Sequence, residues 1–226
     1  MMVFKGLQKV SLIDYPHKIC AVVFTGSCNF RCCYCHNPEL VLDYAKLPDI
    51  PDSRVIVYLE TRKGLLDALC IGGGEPTLHK ELPDFMAQVK RMDFLIKLDT
   101  NGTNPGMIKE VIEKKLVDYI AMDIKTTPAK YPNITGVETD VSKIYASIEI
   151  ILHSGIDYEL RTTAFPDSLT PDDAKEIAKL VKGAKFYILQ RPRTDKTLDK
   201  SFKKVKLYSD SELITLAHFF PNCIIR

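Results

Sequence analysis

Ile19-Cys20-Ala21-Val22-Val23-Phe24-Thr25 runs directly into Gly26-Ser27-Cys28-Asn29-Phe30-Arg31-Cys32-Cys33-Tyr34-Cys35. An apolar run of strand length that stops at glycine reads as a buried strand, and the polar loop behind it puts reactive side chains at the strand's C-terminal end. The same unit recurs downstream. Residues 52–63 read as a helix opened by Asp52 or Ser53, and residues 67–71 as a strand running into Gly72. Helices are expected over 80–92, 105–115, 140–154, 171–181 and 210–219, alternating with strands over 94–99, 118–123, 157–163 and 185–190. That makes six β/α units.

Regular alternation of this kind argues for parallel strands joined by right-handed helical crossovers, closed as a barrel or open as a doubly wound sheet. A complete eight-unit barrel takes about 250 residues. Six units in 226 residues therefore point to an incomplete (β/α)6 TIM-like barrel, with residues 1–226 as a single domain. Either architecture gathers its site at the C-terminal ends of the strands. Four polar segments fall there: residues 28–35, 72–76, 99–102 and 123–125.

Composition narrows the partners. Lys and Arg number 31 against 29 Asp and Glu, and the net charge of +2 gives no electrostatic case for nucleic acid or an anionic membrane. The first ten residues lack the apolar core of a signal peptide and no run reaches membrane-span length, so a cytoplasmic location is expected. Seven cysteines, at 20, 28, 32, 33, 35, 70 and 223, suit a reducing compartment and metal ligation better than disulfides. Cys20 and Cys223 read as core thiols. Residues 191–206 are basic and are expected to form a mobile surface loop; there is no internal repeat and no low-complexity segment.

Cys28, Cys32 and Cys35 stand in C-x3-C-x2-C spacing, so one loop offers three thiolates. A cubane cluster has four irons, and three cysteines leave one iron open to bind and activate a substrate. The competing reading is a zinc knot, with Cys33 or His36 as a fourth ligand. The spacing, with aromatic Tyr34 just before the last cysteine, resembles the radical S-adenosylmethionine (SAM) superfamily. That resemblance implies one 4Fe-4S cluster on Cys28, Cys32 and Cys35, with SAM chelated to the open iron and cleaved to methionine and a 5'-deoxyadenosyl radical. Cys33 departs from the family pattern, where a non-cysteine residue is usual.

The other segments fit the same reading. Gly72-Gly73-Gly74-Glu75-Pro76 lets the backbone approach a ligand closely while Glu75 accepts a hydrogen bond from an ammonium group. It resembles the superfamily's GGE motif, which implies that Gly73, Gly74 and Glu75 hold the methionine amino group. Asp99, Thr100 and Asn101 offer groups for ribose hydroxyls, and Lys125 a cation for the SAM carboxylate or ribose. Resemblance to the activating enzymes of glycyl radical proteins implies a monovalent cation held by Asp99 and Asp123, with Thr100 and Ala121 contributing backbone. Arg161 projects from a strand with a fork suited to a carboxylate, or forms an ion pair with Glu159 or a rim aspartate.

Ser11-Leu12-Ile13-Asp14-Tyr15-Pro16, then Val22 through Cys32, then Cys35-His36-Asn37-Pro38-Glu39-Leu40, are similar to the anaerobic ribonucleoside-triphosphate reductase activating proteins. The similarity continues through residues 72–78 and, more weakly, to Leu189-Gln190-Arg191. It implies an oxidoreductase that makes a glycyl radical on a partner enzyme. The four remaining cysteines are too scattered for a ferredoxin-like insert, so one cluster is expected, reduced from outside by ferredoxin or flavodoxin. A synthase or maturase with another substrate is the alternative inside the superfamily.

Overall fold

A computed structural model describes residues 1–226. They gather into two compact units: Met1–Asn29, Glu39–Thr100 and Gly106–Ile120 in the first, and Phe30–Pro38, Asn101–Pro105 and Ala121–Arg226 in the second.

The first unit contains β1 (Val3–Ser11), β2 (Cys20–Thr25), most of α1 (Pro38–Leu42), β3 (Ile50–Pro51), α2 (Asp52–Glu60), β4 (Ala68–Gly73), α3 (Leu82–Lys90), β5 (Leu95–Thr100), most of α4 (Pro105–Glu113) and the start of β6 (Tyr119–Asp123). Its strands neighbour one another in the order β3-β1-β2-β4-β5. β2 and β4 pair in parallel from Cys20↔Ala68 to Thr25↔Gly73, and β4 pairs with β5 from Ala68↔Leu95 to Ile71↔Leu98. Strands covered on both faces carry continuous apolar runs, which is why these read clearly from the sequence.

β1 is an addition to the expected elements. It lies antiparallel on β2 with two register shifts, and its polar Lys5, Gln8 and Lys9 break the alternation that would announce a strand. Inside this unit Tyr15, Cys20, Val22, Ala68, Cys70 and Tyr119 form an apolar cluster that Phe24 and Leu95 extend. Cys20 is a core thiol as expected, its Sγ 3.5 Å from that of Cys70. α3 buries Leu82, Phe85, Met86 and Val89, one stripe of the helix, and Phe85 meets Phe4 with ring centroids 4.8 Å apart.

The second unit contains the end of β6, α5 (Tyr131–Thr135), α6 (Val141–Leu152), β7 (Asp157–Thr163), α7 (Pro171–Leu180), β8 (Tyr187–Gln190), α8 (Asp210–Ala217) and β9 (Ile224–Ile225). β7, β8 and β9 are parallel neighbours. Reciprocal capping boxes, Thr170 with Asp173 and Ser209 with Glu212, start α7 and α8 by satisfying helix N–H groups that have no partner within the helix.

Two expectations are corrected here. Residues 191–206 are anchored rather than loose: Leu198 and Asp199 donate backbone hydrogen bonds to Cys35 and Cys33, Phe202 is buried, and Lys200–Lys204 form a 3-10 helix. A segment this rich in charge reads as solvated because one buried aromatic is invisible in its composition. Cys223 is only half-buried, next to the short closing strand β9, and is no core thiol. No helix is long and apolar enough to cross a membrane.

Candidate active site

In the first unit, backbone packing builds the site. β2 ends at Thr25, and Ser27, at φ +70°, turns the chain into Cys28. The glycine-rich turn after β4 lies against this corner: Gly74 N–H donates to Thr25 O at 2.9 Å and Glu75 N–H to Ser27 O at 2.8 Å. Gly73 adopts φ +118°, and a Cβ on Gly74 would lie 1.7 Å from Ser27 O, so only glycine lets the two main chains meet.

Glu75 is buried, and its Oε1 accepts from Thr77 N–H at 3.1 Å, the Thr77 hydroxyl at 2.6 Å and the Thr100 hydroxyl at 2.7 Å. Asp99 and Lys97, two residues apart on one face of β5, form an ion pair at 2.5 Å. The Lys97 side chain is only 3% exposed and its Nζ lies 6.0 Å from the Tyr119 ring centroid.

In the second unit the site is a chain of charges beside an anchored cysteine loop. Arg31 N–H donates to Thr135 O at 2.6 Å, where α5 ends, and Cys35 N–H donates to Cys32 O at 3.0 Å. Leu198 N–H donates to Cys35 O at 2.8 Å and Asp199 N–H to Cys33 O at 3.0 Å. Tyr34 packs on Phe165 and Phe202 with centroids 5.5 and 6.1 Å away. Its hydroxyl is buried without a hydrogen-bond partner, and burial pushes its pKa well above the usual tyrosine value.

Asp123, ending β6, accepts from Arg161 Nε at 2.7 Å and Lys125 Nζ at 2.9 Å. Burial disfavours its charged form, but the two cations outweigh that cost and hold the carboxyl well below its ordinary range. Burial likewise works against charged Lys125, and Asp123 reverses it, leaving the ammonium well above its usual pKa. The Lys125 Nζ lies 5.8 Å from the Tyr34 ring centroid. Arg161 also donates to Glu159 at 3.3 Å, and Glu159 accepts from Arg226 at 3.1 Å. Both ion-pair partners considered for Arg161 are thus engaged.

Each unit therefore assembles part of the expected set. Cys28, Gly73, Gly74, Glu75, Asp99 and Thr100 belong to the first; Cys32, Tyr34, Cys35, Asn101, Asp123, Lys125 and Arg161 belong to the second, as does buried Ala121. Asn101 Oδ1 accepts from Thr103 N–H and the Thr103 hydroxyl. Lys97, Thr77 and Arg226 were not foreseen. Lys97 could have been, since i, i+2 residues on a strand share a face; Arg226 had no sequence signal pairing it with Glu159.

The donor chemistry suits the group that the motif implies. Cys28, Cys32 and Cys35 are in no disulfide, and thiolates are soft ligands that favour iron–sulfur clusters. The glycine-rich turn meets the loop that carries Cys28 at a distance no side chain would tolerate.

The family model described as the radical SAM superfamily matches residues 22–188. The chain belongs to the radical SAM superfamily. Membership brings a 4Fe-4S cluster and SAM as cofactors, makes the chain a radical SAM enzyme and removes the zinc knot. A protein of Methanocaldococcus jannaschii, provisionally named a glycyl-radical enzyme activating enzyme, is 34% identical over 230 residues, covering 98% of this chain and 94% of that one. A provisionally named GTP 3',8-cyclase of Methanococcus vannielii is 29% identical over 170 residues, 74% of this chain and 56% of its own.

Among solved structures, a domain of pyruvate-formate lyase-activating enzyme from Bacteroides vulgatus superposes with TM-score 0.58 at 16% identity, covering 70% of this chain and 98% of that one. Streptococcus suis SuiB bound to SAM gives 0.69 at 14% identity, covering 91% and 49%. These likenesses carry the fold: α/β with mostly parallel strands, as expected of a partial TIM-like radical SAM core.

Proposed function

We propose that this radical SAM enzyme is an activase that generates a glycyl radical on a partner enzyme, and that the partner is an anaerobic ribonucleotide reductase. The observation that carries the activase reading is the 34% identity to the M. jannaschii protein over nearly the full length of both chains. The choice of partner rests on the Ser11–Pro16 and Cys35–Leu40 segments, which resemble reductase activating proteins.

Cys28, Cys32 and Cys35 would hold the cluster, with residues 1–226 acting as one catalytic domain. Held there, the cluster would supply one-electron reductive cleavage of the SAM sulfonium. Gly73, Gly74 and Glu75 would receive the methionine amino group; Thr77 and Thr100 fix Glu75, so that its carboxylate would need little reorganisation on binding. Lys125 and Arg161 keep Asp123 ionised and supply cations for a carboxylate. Asp99 and Asp123 would accept a monovalent cation beside it, and Thr100 and Asn101 serve the ribose. Tyr34, with Phe165 and Phe202, walls the loop in apolar surface that keeps water away. The activase works in the cytoplasm, takes its electron from ferredoxin or flavodoxin, and uses neither nucleic acid nor a membrane.

Anaerobic reconstitution with iron and sulfide, dithionite reduction and chromatography for 5'-deoxyadenosine test the chemistry. Electron paramagnetic resonance of the added reductase then tests the partner: a glycyl doublet is expected. A second reading, a small-molecule enzyme, draws on the cyclase relative. Deoxyadenosine release that rises with GTP and yields no glycyl radical would favour it.

A further inference from the structure

The segment 191–206 carries seven cations and two carboxylates, in a chain whose total net charge is only +2. Its basicity is therefore local. Arg191, Arg193 and Lys206 are neutralised by Asp210, Asp195 and Glu212. Lys200, Lys203 and Lys204 are exposed and take part in no ion pair. They sit on one short 3-10 helix, Lys200–Lys204, whose start is fixed by Asp199 accepting from Ser201 N–H at 2.7 Å.

That helix is fastened to the cysteine loop at three points. Asp199 and Leu198 donate to the carbonyls of Cys33 and Cys35, the second of which is a cluster ligand in the reading above. Phe202, in the middle of the helix, is buried against Phe165 at 5.0 Å and Tyr34 at 6.1 Å. Clustered like charges repel one another, and holding them on a rigid platform costs free energy that a solvated, mobile face would avoid. An opposing acidic surface recovers that cost and speeds encounter.

We infer that Lys200, Lys203 and Lys204 form the docking surface for an acidic, low-potential electron-transfer protein of the ferredoxin or flavodoxin class. This rests on the reading that the cluster is reduced from outside. The donor is oxidised by one electron and the oxidised cluster is reduced by one; no bond is made or broken and no proton moves. The backbone bonds from Leu198 and Asp199 place the docked surface next to the ligand loop.

The test uses reconstituted holoenzyme and the triple variant Lys200→Glu/Lys203→Glu/Lys204→Glu, all at exposed positions, with the milder Lys→Gln set as a second variant. Two quantities are read: the affinity for ferredoxin or flavodoxin against ionic strength, and the rate of 5'-deoxyadenosine release driven by reduced donor or by dithionite. Charge reversal is expected to lower donor affinity and donor-driven rate about tenfold or more at low salt and to flatten the salt dependence, with the Gln set in between. The dithionite-driven rate stays at the wild-type value. Wild-type donor affinity in the Glu variant would overturn the inference. So would unchanged donor binding accompanied by loss of glycyl radical in the dithionite-driven reaction, which would assign the surface to the protein substrate. If wild-type enzyme releases no deoxyadenosine with dithionite, the proposed activity fails, and the affinity measurement still decides the docking surface.

Discussion

The glycine-rich turn of the first unit and the charged group of the second are held in place by different physics. Around Gly73 and Gly74 the geometry is steric: two main chains touch, and there is no side chain to adjust. Around Asp123 the geometry is electrostatic: two cations and one carboxylate at 2.7 and 2.9 Å hold each other in the charged state. A steric site fails abruptly when one methyl group is added. An electrostatic site fails by degrees, and its failure depends on pH.

The thiols give the largest expected effect. Cys32→Ala should abolish both the cluster and SAM cleavage, read as iron and sulfide content and deoxyadenosine release. Cys33→Ala, whose contact with Asp199 runs through the main-chain carbonyl, should leave most of both. Equal losses would overturn the ligand assignment.

Next comes Gly74→Ala. The added Cβ meets a backbone oxygen that cannot move alone, so the loop carrying Cys28 must shift. Overpacking of this kind costs about 1–3 kcal/mol. Cluster content after reconstitution should fall more steeply than thermal stability, and full iron loading would show that the close approach is dispensable.

Asp123→Asn should act the other way round, through stability. The ion group is part-buried, so removing one partner costs less than the roughly 3–5 kcal/mol of a fully buried pair, and about 2 kcal/mol corresponds to a Tm decrease of roughly 4–8 °C in a protein of this size. The carboxyl is held below its unfolded value near 3.9, so its contribution is fully present above about pH 4 and is lost as pH falls through the folded value. The Tm gap between wild type and variant should therefore narrow on acidification below about pH 4. A gap independent of pH would place the effect in packing.

The smallest effect sharpens the comparison. Thr100→Val removes a hydrogen bond to Glu75 Oε1 worth about 1 kcal/mol. SAM affinity should fall with a Tm change of roughly 2–4 °C, because Glu75 loses orientation rather than charge. Arg161→Lys, which gives up the fork between Asp123 and Glu159, belongs on the same scale; unchanged SAM affinity there would limit Arg161 to holding the rim together.

What the sequence carried was local. The strands 19–25, 67–71, 94–99, 118–123 and 185–190 were legible because a strand buried on both faces carries a mainly apolar run, the more polar 157–163 because of its place in the alternation, and each appears within a few residues of its expected bounds. The cysteine motif, the glycine turn and the strand-end acids stood out in the sequence because the chemistry proposed for them requires those residue types at that spacing. β1 escaped because a strand with a solvated, irregular edge shares its pattern with loop.

Tertiary structure decided the rest. The ion pairs Arg226–Glu159 and Lys90–Asp118 join residues far apart in sequence, and no periodicity reports such a meeting. Residues 191–206 show this best: their composition described a solvated loop, and one phenylalanine with two backbone hydrogen bonds made them part of the cysteine loop's support. Composition records the average free energy of solvating a segment, whereas a fold is fixed by the few places where that average is overruled.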